Sequence, residues 1–185
     1  MERITHCAEL ISRLAAKAVL IALFGCNAAL ATPLTEIQSI TIAFLYNFMK
    51  LSEWPVQADD PELTLCVTEG GEFGEELDSI NGKPVHNKTL AVKRLVLGDN
   101  PADCELLFLP DEEKPIRLHE WLKLIENKPV LTVSDTPHFL DEGGMINLVN
   151  EDNRLQFEVN LELVEKVGIE MSSQILKIAR KVRGN

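Results

Sequence analysis

The sequence contains no unbroken apolar run of the roughly 20 residues that a membrane-crossing helix requires. Basic residues are in short supply, with 18 Lys and Arg against 29 Asp and Glu. The first absence argues against a membrane-embedded protein. The second, at a formal net charge of −11, argues against a nucleic-acid partner or an anionic membrane surface, both of which repel an acidic domain. No Walker or dinucleotide fingerprint is present, no G-x-S-x-G elbow, no internal repeat and no low-complexity linker. What the chain does have is an N-terminus unlike the rest of it.

Arg3, Arg13 and Lys17 load the start with positive charge, an apolar run follows from Ala18 to Leu23 and on to Leu30, and Ala29-Leu30-Ala31 offers small residues for cleavage. This pattern reads as a secretory signal peptide over residues 1–31, followed by one domain over residues 32–185. Leu23-Phe24-Gly25-Cys26 offers an alternative, lipoprotein processing at Cys26, although the bulky Phe24 stands where such sites prefer a small residue. The A-L-A site favours the soluble product. Removing residues 1–31 takes away three basic and two acidic side chains, so the remainder is one unit more acidic than the whole. A domain of this size buries about 68–70% of its unfolded surface and needs no staple to hold a core.

Of four cysteines, Cys7 and Cys26 leave with the signal. Cys66 and Cys104 remain in an oxidising compartment, where an even pair reads first as a disulfide. Two buried free thiols are the alternative. A metal site is disfavoured, because no His or further Cys lies near either one.

Apolar side chains recur at helical spacing from residue 36 to 51 (Ile37, Ile40, Phe44, Leu45, Phe48, Leu51), predicting an amphipathic helix with Thr35 as N-cap and Pro55 ending the element. Leu63–Thr68 and Thr89–Leu97 read as strands, and a helix is expected from near Phe73. Cys104–Leu109 and Val130–Val133 are apolar with little alternation, the mark of interior strands covered on both faces. A helix around Ile116–Glu126 between them makes a strand-helix-strand crossover. Met145–Val149 and Leu155–Val159 flank a cluster of turn formers and predict an antiparallel hairpin. Two helices, Leu161–Val167 and Ser172–Val182, are expected to close the chain, with Gly168 stopping the first. The fold class is therefore α/β: a mostly parallel sheet with helices on both faces and a C-terminal hairpin and helices.

Catalytic patterns are weak. Gly70-Gly71-Glu72-Phe73-Gly74 follows a strand, where nucleotide folds keep a phosphate loop, but Glu69, Glu72, Glu75 and Glu76 surround it, so it reads as a tight turn. Ser134, Asp135 and His138 hold the residue types of a hydrolytic triad at the wrong spacing, since a working base approaches from a separate element. His86 and His119 lack the i, i+4 partner of a zinc helix. Glu151-Asp152-Asn153 lacks the alternating ligands of a calcium loop. No catalytic residue, cofactor or metal is assigned.

Several stretches in order carry a resemblance: Ala43-Phe44-Leu45-Tyr46-Asn47-Phe48 with Glu53-Trp54-Pro55, Leu65-Cys66-Val67, Ala102-Asp103-Cys104-Glu105-Leu106-Leu107-Phe108, Pro129-Val130-Leu131-Thr132-Val133-Ser134-Asp135, Gly143-Gly144-Met145-Ile146-Asn147, Asn153-Arg154-Leu155-Gln156-Phe157-Glu158-Val159-Asn160, and Ser172-Ser173 with Leu176. Together they resemble the YfiR family of periplasmic proteins. The resemblance implies a regulator rather than an enzyme. It would bind the periplasmic part of an inner-membrane diguanylate cyclase and hold it inactive, lowering cyclic di-GMP and biofilm formation. An OmpA-like outer-membrane lipoprotein or reducing conditions would relieve the repression. The resemblance also implies a dimer, and it pairs Cys66 with Cys104. Candidate partner contacts are Phe44, Tyr46, Phe48 and Trp54, although core burial competes for these aromatics, and secondly the hairpin tip from Glu151 to Arg154 with neighbouring Phe139. Two rival classes are a periplasmic small-ligand sensor with its crevice near Gly70 and Ser134, and a hydrolase on Ser134 and His138.

Overall fold

A computed structural model describes residues 36–55, 60–69, 73–152 and 154–184, within one compact unit spanning Leu34–Asn185. The expected signal segment 1–31, the Thr35 cap, the Gly70-Gly71-Glu72 part of the tight turn and Asn153 lie outside the described residues. The order of elements is α1 (Glu36–Lys50), β1 (Ser52–Glu53), β2 (Glu62–Thr68), a 3-10 helix (Gly74–Ile80), β3 (Pro84–Val85), β4 (Lys88–Leu95), a short 3-10 turn (Pro101–Asp103), β5 (Leu106–Leu109), α2 (Pro115–Leu124), β6 (Leu131–Ser134), β7 (Ile146–Glu151), β8 (Arg154–Asn160), α3 (Leu161–Lys166), β9 (Glu170–Met171), α4 (Ser173–Ile178) and β10 (Lys181–Arg183).

Eight strands form one sheet in the order β10-β8-β7-β6-β5-β2-β4-β3. Its centre is parallel: β2 pairs with β4 and β5, β5 with β6, and β6 with β7. β7 and β8 make the expected antiparallel hairpin, closing at Glu151 opposite Arg154. Every residue of β5 and β6 is buried, as strands covered on both faces must be. Alternation along β2 and β5 sends side chains to two separate cores. Leu65, Val67, Leu106 and Phe108 join Leu45, Phe48 and Met49 of α1 in the larger one. Cys66, Leu107 and Leu109 point the other way, to Leu118 and Trp121 of α2. Helices therefore cover both faces, and the α/β reading of the sequence holds.

Two local expectations are corrected, and a third is refined. The helix expected from near Phe73 is present and is of the 3-10 type. Gly74 begins it at a φ of +53°, and Arg94 of β4 ties it down through Asp78 (2.7 Å) and the Gly74 carbonyl (2.9 Å). The first helix stops at Lys50, ahead of Pro55, because Ser52 and Glu53 are drawn into a two-stranded pairing with Met171 and Glu170. The last predicted helix, Ser172–Val182, covers only Ser173–Ile178. Beyond it the chain extends, and Lys181–Arg183 pair in parallel with Glu158–Asn160 of β8. Without β10 the backbone groups of β8 would face solvent along an open edge, and satisfying them outweighs a weak local helix preference.

Candidate interaction surface and buried disulfide

Cys66 sits in the middle of β2, and Cys104 precedes β5, its immediate neighbour in the sheet. The two are bonded, with Cα atoms 5.9 Å apart. Exposure is 0% for Cys66 and 2% for Cys104, so the bridge is enclosed by Leu95, Leu107, Leu118, Trp121 and Phe139. It closes a span of 38 positions, which on the chain-entropy account stabilises the fold by about 4 kcal/mol. Against a typical total of about 5–15 kcal/mol this is a large share.

Next to the bridge, Glu105 links the sheet to Trp54, the residue just past β1. Its carbonyl accepts from the Trp54 indole Nε1–H (2.9 Å) and from the Leu131 amide (2.8 Å). Its carboxylate accepts from the Thr64 amide at 2.5 Å. Burial raises the Glu105 pKa above the usual carboxylate value, against the lowering pull of the Thr64 N–H and the Lys88 charge. Asp135 is raised for the same first reason, burial, and secondly by the charge of Asp111.

The structure separates the candidate contact residues by burial. Phe48 and Phe139 are fully enclosed. Phe48 packs edge-on against Phe157 at 5.1 Å between ring centres, and Phe139 lies in the disulfide core. Phe44 is half-buried, 5.4 Å from Phe157. Tyr46 is half-buried too. Its hydroxyl donates to the Pro84 carbonyl (2.9 Å), and the ammonium groups of Lys50 and Lys83 lie 5.5 and 5.6 Å from its ring centre. Trp54 keeps part of its ring at the surface while its N–H points inward. At the hairpin tip, Arg154 is exposed, whereas Glu151 is engaged by Arg180 at 3.1 Å.

Ser134 and His138 are not brought together. Ser134 is fully buried, its hydroxyl donating to the Thr136 hydroxyl (2.9 Å) and accepting from the Thr136 amide (3.0 Å). Asn147 clamps the same turn by donating to the Ser134 and Thr136 carbonyls. His138 stands on the surface, 3.7 Å from Asp141. His86 faces the Ser52 carbonyl (3.0 Å), and His119 faces the Pro115 carbonyl (2.7 Å) and Glu142 (2.8 Å). Among the described residues no cluster of His, Cys, Asp or Glu is arranged to hold a metal ion, and no helix is long and apolar enough to cross a membrane.

Sequence reasoning missed a groove between the loop after β4 and helix α2, walled by Leu97, Trp121 and Leu124. A signal for it was present: Ile116 and Leu124 lie on the outward side of a helix whose inward face already carries Leu118 and Trp121. A family model described as YfiR/HmsC-like matches residues 38–180, most of the chain and nearly all of the fold described above.

Proposed function

Given that the chain belongs to the YfiR/HmsC-like family, a family of periplasmic regulators rather than enzymes, we propose that it represses an inner-membrane diguanylate cyclase. It is exported by its N-terminal signal and cross-linked in the periplasm. There it binds the outward-facing domain of the cyclase and holds it inactive, so that cyclic di-GMP falls and biofilm formation with it. An OmpA-like outer-membrane lipoprotein relieves the repression by capturing the inhibitor, and the inhibitor works as a homodimer.

The observation that carries this reading is the enclosed Cys66–Cys104 bridge between two central strands. A cross-link of this kind belongs to an oxidising compartment. It also makes the amount of folded inhibitor sensitive to reductants, because losing it raises the unfolded fraction that proteases clear. Ser134, whose hydroxyl is engaged and buried, supports action by binding rather than by turnover. Trp54, Phe44 and Tyr46 on one side, and Arg154 with Glu151 on the other, are the contacts proposed for the cyclase.

The test begins with the neighbouring genes. The periplasmic domain of an adjacent GGDEF-containing membrane protein is titrated calorimetrically with the oxidised mature chain. Saturable binding that weakens in Trp54→Ala and Arg154→Ala variants is expected. If both variants bind and repress as the wild type does, these contacts are wrong, and if the wild type does not bind, the pairing is wrong.

A further inference from the structure

The groove of about 350 Å³ between the loop after β4 and α2 is the least explained part of the surface. Leu97 and Leu124 on its wall are 61% and 55% exposed, and Val96 next to Leu97 is 46% exposed. Single exposed apolar residues need no explanation, but Leu97 and Leu124 face one concavity together, and exposed apolar side chains grouped in this way mark a contact site. On the same wall Trp121 is only 4% exposed, yet among the described residues its Nε1–H has no hydrogen-bond partner. A buried indole donor normally finds an acceptor, so at Trp121 the fold leaves this wall of the groove incompletely bonded.

The rim has a sign. Asp99 and Glu120 line it, and Arg117, the cation among the lining residues, has its Nε 2.9 Å from Oε1 of the buried Glu113. With that charge answered from within, the groove presents a negative rim around an apolar floor.

We propose that this groove docks a segment of a partner protein in which large apolar side chains lie between lysines or arginines. The apolar side chains would meet Leu97, Trp121 and Leu124, and the flanking cations would meet Asp99 and Glu120. The groove shares its packing with the cross-link, because Cys66, Cys104, Leu118 and Trp121 belong to one core. The inference deepens the regulatory reading and rests on it only for which protein carries the segment.

The test uses the mature chain, isotope-labelled, and a blocked peptide in which a Phe-Leu pair lies between lysines. The chain has two tryptophans, so two indole N–H resonances report. Saturable binding is expected to shift the Trp121 signal, while that of Trp54, already bonded to the Glu105 carbonyl, stays in place. Leu124→Ser and Glu120→Lys, both at exposed positions, are each expected to weaken binding about tenfold or more. A control peptide with glutamates for the lysines is expected not to bind.

The proposal falls if the lysine peptide leaves the Trp121 signal unmoved, if the glutamate peptide binds as well, or if Leu124→Ser binds like the wild type. It also falls if sedimentation shows a self-associating wild type that Leu97→Glu renders monomeric, since a second copy then fills the groove. Repression of the cyclase, measured separately in cells, decides the regulatory reading. A wild type that fails to repress defeats that reading and leaves the peptide titration to judge the groove.

Discussion

Glu105 is 6% exposed and holds a carboxylate among strands, with the Thr64 amide as its hydrogen-bond donor. Because burial raises its pKa from 4.5, the native state favours the protonated form more than the unfolded chain does. Its contribution to stability is therefore full below pH 4.5 and is lost as the pH rises through the raised native value. Glu105→Gln keeps an oxygen for Thr64 and removes the charge, so the variant is expected to gain on the wild type in melting temperature as the pH is raised from 4.5 through the raised native value. A constant difference between the two proteins across that range would refute this. Gly144 illustrates a different constraint: a methyl group there would overlap the ring of the fully buried Phe139. Gly144→Ala is expected to cost about 1–3 kcal/mol in denaturant unfolding, with part of the loss recovered when Phe139→Leu is combined with it. Neither residue announced itself in the sequence. Glu105 lies in an apolar run, but its burial depends on β2 lying beside it, and Gly144 is constrained only by the Phe139 ring packed against it.

Elements with a period or an apolar run of their own were legible, down to the four-residue strands β5 and β6, and elements that exist only through their pairing were not. The first helix was read over residues 36 to 51 and runs Glu36–Lys50, because its apolar stripe is set by residues on the element itself. Phe44 and Phe48 fasten that stripe to Phe157 of β8, and Phe48→Ala is expected to cost about 3–5 kcal/mol, read from chemical denaturation. A variant as stable as the wild type would show that the helix is not anchored through this ring. Strands β1 and β9, each of two residues, have no periodicity to read, since only the pairing partner defines them. The same holds for β10. Its residues Lys181, Val182 and Arg183 suit a helix end as well as an edge strand, and what decides between them is the free side of β8, more than twenty positions earlier. Deleting Lys181–Asn185 is expected to lower the melting temperature and to induce aggregation visible by light scattering, because it uncovers that edge. An unchanged melt without scattering would make β10 an ornament of the fold.

For the molecule as a whole, the family and the cross-link were readable before the fold, whereas the surface of action was not. Cys66 and Cys104 needed only a count and a compartment, but the choice between core and surface for Phe48, Phe139 and Trp54 needed coordinates. In the structure Phe48 and Phe139 are inside and Trp54 is partly out. The groove at Leu97 and Leu124 arises where a loop meets a helix from another part of the chain, a juxtaposition that no window of sequence contains. These features join in the regulatory reading proposed above, in which an acidic domain, stapled through its central strands, meets its partner outside the cytoplasm and loses its hold when the staple opens. The most direct test is cellular cyclic di-GMP, measured in a strain lacking the gene and complemented with the wild-type chain or with Cys66→Ser/Cys104→Ser. The account predicts that the wild type lowers cyclic di-GMP and that the double variant, about 4 kcal/mol less stable, leaves it high. A wild type without effect, or a double variant that represses equally well at equal abundance, would contradict it.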